Sequence, residues 1–143
     1  MAVSENKAVV RRFFDEAINQ QNLDALDQII GLDLLVRPDE PPGPDAVKSL
    51  IRRLHAAFTR LHYVIDDLIA EDDKVVARTH ASGTHNGEYG GFRGTGKVVR
   101  YRELFIVRIG DERIAEWWVE PNRLSILEQI GVIFTLAVND ELK

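Results

Sequence analysis

The chain has 143 residues, with 18 Lys and Arg against 23 Asp and Glu, and its formal net charge is −5. This length predicts a single domain over residues 1–143, with residues 132–143 as a C-terminal tail and a core that buries roughly 68% of the unfolded chain's surface. The absence of cysteine excludes disulfides, thiolate catalysis, iron–sulfur clusters and cysteine-ligated zinc. The acidic balance argues against nonspecific nucleic-acid binding, which requires clustered Lys and Arg.

The hydropathy of the sequence gives no sign of a membrane protein. No run of about 18 apolar residues is present, so we expect no bilayer span and no membrane partner. The first ten residues lack the apolar core of a signal peptide, and we therefore expect a cytoplasmic protein.

Helical spacing of apolar residues dominates the beginning of the chain. It predicts a helix over Glu5–Asn19 with Ser4 as its N-cap, and a shorter helix from Asn22 that ends at Gly31. A brief strand is then predicted over residues 34–36.

Four of the five prolines fall within residues 38–44, which indicates an irregular loop. The next helix, capped by Asp45, is predicted to run to about Phe58. Beyond it the pattern becomes that of strands, followed by one last helix from Asn122 to Ile130. The predicted strands are Leu61–Ala70, Lys74–His85, Val98–Ile109 and Ile114–Val119.

Helices followed by a meander of long strands are typical of an α+β fold. Strands of this length predict a strongly bent, mostly antiparallel sheet wrapped around the N-terminal helices. A pocket is expected on the concave face, where the helices leave part of the sheet uncovered.

Glu103 is the one ionisable acid on the core-facing side of the predicted strand Val98–Ile109. Alternation places it between Tyr101 and Phe105 on that side. Burial raises the pKa of an unpaired carboxyl, as general acid–base catalysis near neutral pH requires. The alternative is a structural partner for Glu103, with Arg37 and Arg78 as the candidates.

His85 is predicted to share the small-residue face of the preceding strand, at the edge of the expected pocket. Six of the ten glycines lie within residues 83–96, and we interpret the segment from His85 to Lys97 as a hairpin at the pocket rim. His85 is a candidate proton carrier or ligand contact, and the alternative is a rim histidine bonded to the backbone.

Two adjacent tryptophans and an asparagine mark the end of the sheet. Trp117 and Trp118 must face opposite sides of their strand, one towards the core and one towards a subunit contact. We place Trp118 on the core face together with Glu120. Asn122 is a candidate hydrogen-bond donor in the pocket, and the alternative is a plain N-cap of the last helix.

The sequence contains none of the motifs typical of metal-dependent, phosphate-binding or serine-nucleophile enzymes. No HExxH or His-x-His arrangement with a nearby carboxylate is present, so no metal site is predicted. A phosphate-binding glycine loop and a serine nucleophile elbow are also missing, and we expect no bound cofactor.

Short motifs throughout the chain, taken in order, resemble the SnoaL-like polyketide cyclase family of the nuclear transport factor 2-like fold group. They span about residues 5–131 without large gaps. The matching stretches are Asn6-Lys7 with Val10–Phe14, Asn22–Leu26, Gly43-Pro44 with Val47-Lys48, Ala56–Phe58, Asp67–Val75, Gly83–Glu88, Thr95–Lys97, Arg108-Ile109, Ile114–Glu116 with Trp118, and Leu127 with Gln129–Gly131.

The resemblance implies a conical α+β barrel with a deep apolar pocket, usually assembled as a homodimer or homotetramer. It also implies cofactor-independent chemistry on a small apolar substrate, because the family includes aldol cyclases and hydroxylases of aromatic polyketides.

The chain departs from the cyclase pattern at several positions, one of them Thr59-Arg60, which stands where the family usually has Pro-Asp after Ala-Phe. Asn122 stands where the family's aldol cyclases have their catalytic Asp, and an amide cannot exchange a proton near neutral pH. Phe105 replaces a histidine of some cyclases, and Arg37 replaces a histidine near the proline loop.

Together, the residues and the resemblance predict an enzyme of secondary metabolism that acts on a polyketide-like carbonyl compound. Glu103 would transfer the proton, Asn122 would bind a developing enolate oxygen, and His85 or Arg37 would assist. The predicted pocket wall and substrate contacts are Tyr101, Phe105, Trp118 and Glu120. The alternatives are hydroxylation, epoxide opening, or a binding protein without catalysis that has lost the family Asp.

Overall fold

The body of the protein is a four-stranded antiparallel sheet that curves around the N-terminal helices, and this confirms the predicted α+β fold. The computed structural model describes residues 2–133. Its strands, which pair in sequence order, are β1 (Phe58–Glu71), β2 (Lys74–His85), β3 (Val98–Gly110) and β4 (Arg113–Pro121). The α-helices are α1 (Val3–Arg12), α2 (Leu26–Ile29), α3 (Pro44–Ala57) and α4 (Arg123–Gln129). Helix α1 continues as a π-helix over Phe13–Asn19, and a 3₁₀ turn at Leu23–Ala25 precedes α2.

Strict alternation of burial along β2 and β3 gives the sheet one buried, concave face and one exposed, convex face. Phe14 of the π-helix lies on the concave face, with its ring 4.9 Å from that of Phe105 and 5.8 Å from that of Tyr63. Edge-to-face and tilted aromatic contacts of this kind add to the energy of apolar burial. The core therefore lies between the N-terminal helix and the concave face.

An extra residue in β4 reverses the expected orientation of its side chains. Arg108 pairs with Glu116 but Ile109 pairs with Ile114, so Ala115 is bulged. Ile114 is therefore buried on the same side as Trp117, whose ring lies 5.8 Å from that of Phe13.

The placement of Trp118 and Glu120 on the core face is consequently wrong. Trp118 is 49% exposed and Glu120 is also exposed, both on the convex face.

Several predicted boundaries in the first half of the chain also differ. Residues 34–36 form no strand; Ile30 makes a single parallel bridge to Ile114 instead. Helix α3 begins at Pro44 rather than after Asp45, because Gly43 at φ +107° turns the chain and proline is favoured at the first helical position.

Helix α1 begins at Val3, so Ser4 is its second residue and not its N-cap. No helix among residues 2–133 is long and apolar enough to cross a membrane. The predicted C-terminal tail, residues 132–143, lies from residue 134 onwards outside the described residues.

Candidate active site

Glu103 lies on the concave face of β3 and is only 8% exposed. Its Oε1 accepts a hydrogen bond of 2.5 Å from the hydroxyl of Tyr63 on β1. Neither expected arginine is its partner: Arg37 is exposed, and Arg78 pairs with Asp67 at 2.7 Å on the convex face. The carboxyl is thus buried against a neutral donor instead of a cation.

The backbone of Tyr63 is held by a side chain from the π-helix. The amide of Asn19 accepts from the Tyr63 N–H and donates to the Tyr63 carbonyl, both at 2.8 Å. This pair of bonds replaces a strand neighbour at that point of the edge strand β1 and fixes Tyr63 opposite Glu103.

A second tyrosine extends the hydrogen-bonded group. The hydroxyl oxygens of Tyr63 and Tyr101 are 2.9 Å apart. Because Tyr63 gives its only proton to Glu103, its oxygen accepts the proton of Tyr101. We call these three residues the Glu103 cluster. They form a buried relay from Tyr101 through Tyr63 to the carboxyl.

Burial raises the pKa of Glu103 to about 7, although the hydrogen bond from Tyr63 and the positive charge of Arg123 both act to lower it. Burial also raises the pKa of Tyr63 and of Tyr101, so both remain hydrogen-bond donors. The cluster therefore presents a carboxyl able to exchange its proton near neutral pH, next to two neutral hydroxyls.

The surroundings of the cluster are aromatic and closed to solvent. Tyr63 and Tyr101 are 3% and 5% exposed, and Phe105 lies beside Tyr63 with a ring separation of 6.5 Å. The structure thus brings together three of the predicted site residues, Tyr101, Glu103 and Phe105.

His85 lies on the same concave face but does not join the cluster. It is fully buried at the end of β2, and its Nδ1 is 3.1 Å from Oγ1 of Thr95 in the glycine-rich segment, residues 86–97. The backbone of this segment is tied to β2 by hydrogen bonds from His85 N to the Lys97 carbonyl and from Gly96 N to the His85 carbonyl. His85 therefore connects the sheet to the segment.

The remaining predicted site residues lie elsewhere. The side chain of Asn122 is exposed, and its Oδ1 accepts from Ser125 N–H at 3.2 Å, which is the geometry of an N-cap on α4. Arg37 lies in an exposed loop, and Trp118 and Glu120 point away from Glu103 on the convex face.

Two surface cavities of about 370 and 510 Å³ lie at the far end of the sheet, around the β3–β4 turn. Neither is lined by Glu103, Tyr101 or Phe105, so neither is the apolar pocket expected beside the cluster. Within residues 2–133, no group of three His, Cys, Asp or Glu side chains is arranged to hold a metal ion.

Tyr63 is the functional candidate that sequence reasoning missed. It alternates with Leu61 on the apolar face of β1, and a buried tyrosine needs a partner for its hydroxyl. That signal was available, but a single strand pattern does not reveal which acid lies opposite.

Comparison with known proteins matches most of the chain to one family. The sequence model of the SnoaL-like polyketide cyclase family covers residues 8–130. Comparison with curated proteins found no match.

Solved structures with the same fold include three from Streptomyces. TsrD from Streptomyces laurentii has a TM-score of 0.86 and 25% identity, over 93% of this chain and 99% of that one. AclR from Streptomyces galilaeus, a candidate hydroxylase, has a TM-score of 0.82 and 24% identity, over 99% and 90%. IdmH from Streptomyces antibioticus, a candidate polyketide cyclase, has a TM-score of 0.74 and 26% identity, over 88% and 98%.

Proposed function

The chain belongs to the SnoaL-like polyketide cyclase family, and from this premise we propose that it is a cofactor-independent enzyme that moves a proton on an apolar, polyketide-like carbonyl compound, with Glu103 as the acid–base group. The observation that carries the proposal is the short bond between a buried carboxyl of pKa about 7 and a tyrosine hydroxyl. A positioned base of this kind typically contributes about 10²–10⁴-fold to the rate.

The proton moves between carbon and Glu103. As a carboxylate, Glu103 takes a proton from the carbon next to the carbonyl, and the electron pair of the C–H bond moves to give an enolate. The enolate carbon then attacks a second carbonyl of the same molecule, or it is reprotonated. Glu103, now an acid, returns the proton to the alkoxide oxygen or to carbon, and Tyr63 remains its hydrogen-bond partner throughout.

The hydroxyl of Tyr101 is the donor that we assign to the developing enolate oxygen. In the present arrangement its proton points to Tyr63, and rotation about the C–O bond turns it towards a substrate. Neutral donors placed where charge develops are typically worth about 3 kcal/mol of the barrier. Asn122 has no part in this scheme, because its amide oxygen caps α4.

Deuterium exchange tests the proposal without knowledge of the natural substrate. We expect the protein to accelerate exchange of the acidic protons of 2-tetralone in D₂O, followed by proton NMR. Glu103→Gln should lower that acceleration by about 10²-fold or more, while Glu120→Gln, an exposed acid on the convex face, should leave it unchanged. An unchanged rate in Glu103→Gln, with circular dichroism showing a folded protein, would contradict the role.

Tyr63→Phe provides a second, independent test. The hydrogen bond from Tyr63 lowers the pKa of Glu103. Its loss should therefore move the pH at half-maximal exchange upwards, whereas a merely structural tyrosine would reduce the rate without moving the midpoint.

Hydroxylation is the second candidate activity. Asn122 in place of the family's Asp favours it, and among the structures of the same fold AclR is a candidate hydroxylase. Glu103 would then take a proton from the substrate carbon, and the resulting carbanion, which supplies both electrons, would add to dioxygen and be protonated to a hydroperoxide. Product formed under ¹⁸O₂ distinguishes this chemistry from ring closure, in which no oxygen from dioxygen enters the product.

A further inference from the structure

His85 carries a buried nitrogen that has no partner. The residue is fully buried, and among residues 2–133 no group forms a hydrogen bond with Nε2. A buried polar atom left without a partner destabilises the folded state by about 1–3 kcal/mol, so its presence calls for an explanation.

The hydrogen bonds at the other ring nitrogen, Nδ1, determine whether Nε2 is a donor or an acceptor. Nδ1 accepts the backbone N–H of Thr95 at 3.3 Å, and an acceptor nitrogen cannot carry a proton. In the neutral ring the proton therefore lies on Nε2, which makes the unpartnered atom a donor. The two nitrogens lie at different corners of the ring, so Nε2 points away from Thr95.

One aromatic ring separates this donor from the Glu103 cluster. The ring of Phe58 lies 5.8 Å from that of His85 and 6.2 Å from that of Tyr101. Alternation along β2 and β3 places His85, Tyr101 and Glu103 on the same concave face. The concave face thus carries two polar groups, His85 and the Glu103 cluster, with the ring of Phe58 between them.

We propose that the Nε2–H of His85 binds the substrate at its far end, and that the substrate is a flat, largely apolar molecule with an oxygen acceptor at each end. One oxygen belongs to the carbonyl that faces the Glu103 cluster, and the other accepts from His85. This inference rests on the proposed function and adds the shape and polarity of the substrate. Because Nε2 is inaccessible in this structure, binding displaces the ring of Phe58, which lies beside both His85 and Tyr101.

A pair of matched ligands tests the second contact. 6-Methoxy-2-naphthol and 6-ethyl-2-naphthol have nearly the same size, but only the first has an oxygen at the end opposite its hydroxyl. We expect the wild-type protein to bind the methoxy compound about 5–10-fold more tightly in calorimetry, the value of one ordinary hydrogen bond. His85→Phe, which retains a ring against Phe58, should remove the difference, and His62→Phe, an exposed histidine of β1, should preserve it.

A spectroscopic measurement on the wild-type protein keeps the test valid if His85→Phe does not fold. In ¹⁵N-labelled protein, the Nε2–H resonance of His85 should shift downfield on addition of the methoxy compound and not of the ethyl compound. Equal affinities in the wild-type protein, a difference retained in His85→Phe, or no binding of either ligand would each overturn the inference. Loss of proton exchange in the assay with 2-tetralone bears on the proposed function alone, because ligand discrimination is measured here by binding.

Discussion

At the scale of single residues, the protonation of Glu103 links the candidate site to stability. Burial raises its pKa from 4.5 to about 7, so between these two values the folded protein retains a proton that the unfolded chain has released. The folded state therefore binds more protons than the unfolded state, and the contribution of Glu103 to stability decreases as the pH rises through this window.

Unfolding by urea at pH 4.5 to 8 measures this contribution. As the pH rises through this range, the free energy of unfolding of the wild-type protein should decrease by up to about 3 kcal/mol because of Glu103. Glu103→Gln should not show this decrease. The exposed substitution Glu120→Gln should retain the decrease. Parallel pH profiles of wild-type and Glu103→Gln proteins would show that the carboxyl is not buried in solution.

The sequence was sufficient to place three site residues together but not to identify their partners. Alternation alone puts Tyr101, Glu103 and Phe105 on one face, because side chains of a strand alternate whatever lies beside them. The pairing of Glu103 with Tyr63 depends on the register of two ladders and on the anchor at Asn19, 44 residues before Tyr63. Local patterns contain no information about such distant contacts.

At the scale of elements, a close approach between β2 and the start of β1 makes Gly83 necessary. A Cβ at this position would lie 2.9 Å from Cβ of Phe58, which is fixed to the backbone and cannot move aside. Gly110 is a matched control in β3, because a Cβ there would lie 3.3 Å from the flexible end of Arg108.

Gly83→Ala should therefore destabilise the protein by about 1–3 kcal/mol, as overpacking typically does. Gly110→Ala should change the free energy of unfolding by less than about 0.5 kcal/mol. Thermal or urea unfolding of the two variants measures the difference, and equal stability would contradict the close packing of Phe58 on Gly83.

The role of Asn122 belongs to the start of α4. As an N-cap it should contribute about 1 kcal/mol, so Asn122→Ala should lower the free energy of unfolding by that amount. Asn122→Asp should preserve stability, because aspartate is an equally good cap. Proton exchange on 2-tetralone should survive Asn122→Ala within a few-fold; a loss comparable to that of Glu103→Gln would restore the catalytic role first considered for this residue.

Elements with a strong periodic pattern were predicted well, and those governed by backbone detail were not. The strands β2 and β3 match their predicted extents closely because their burial alternates strictly. The bulge at Ala115 reversed the faces of β4 without any signal in its composition. Of residues 34–36, Leu34 is buried and Leu35 is exposed, and none of the three pairs in a sheet.

At the scale of the whole molecule, an apolar row crosses the convex face. Ile69, Val76, Ile106 and Trp118 occupy paired positions on the four successive strands. Ile69, Ile106 and Trp118 are 63%, 40% and 49% exposed. An apolar row of this kind is typical of a surface that is covered by a partner.

We propose that this row forms the interface of a homodimer. Trp118→Glu should then convert the protein to monomers in size-exclusion chromatography with light scattering. Leu35→Glu, at a residue 51% exposed outside the sheet, should leave the mass unchanged. A wild-type protein that is monomeric at all accessible concentrations would contradict the proposal.

The bulge at Ala115 also protects the chemistry of the site. Without the extra residue, β4 would pair with β3 one position out of register, and Trp118 would replace Trp117 in the core. Because an indole would be buried in either register, the two tryptophans do not by themselves favour the observed one. The same slip would place Glu116 beside Val107 and Glu120 beside Glu103. Two carboxyls would then compete for one proton in an apolar interior. The acids that now face solvent thus make the wrong alignment unfavourable. Glu103 is the only buried acid among residues 2–133 because Ala115 is left out of the pairing between β3 and β4.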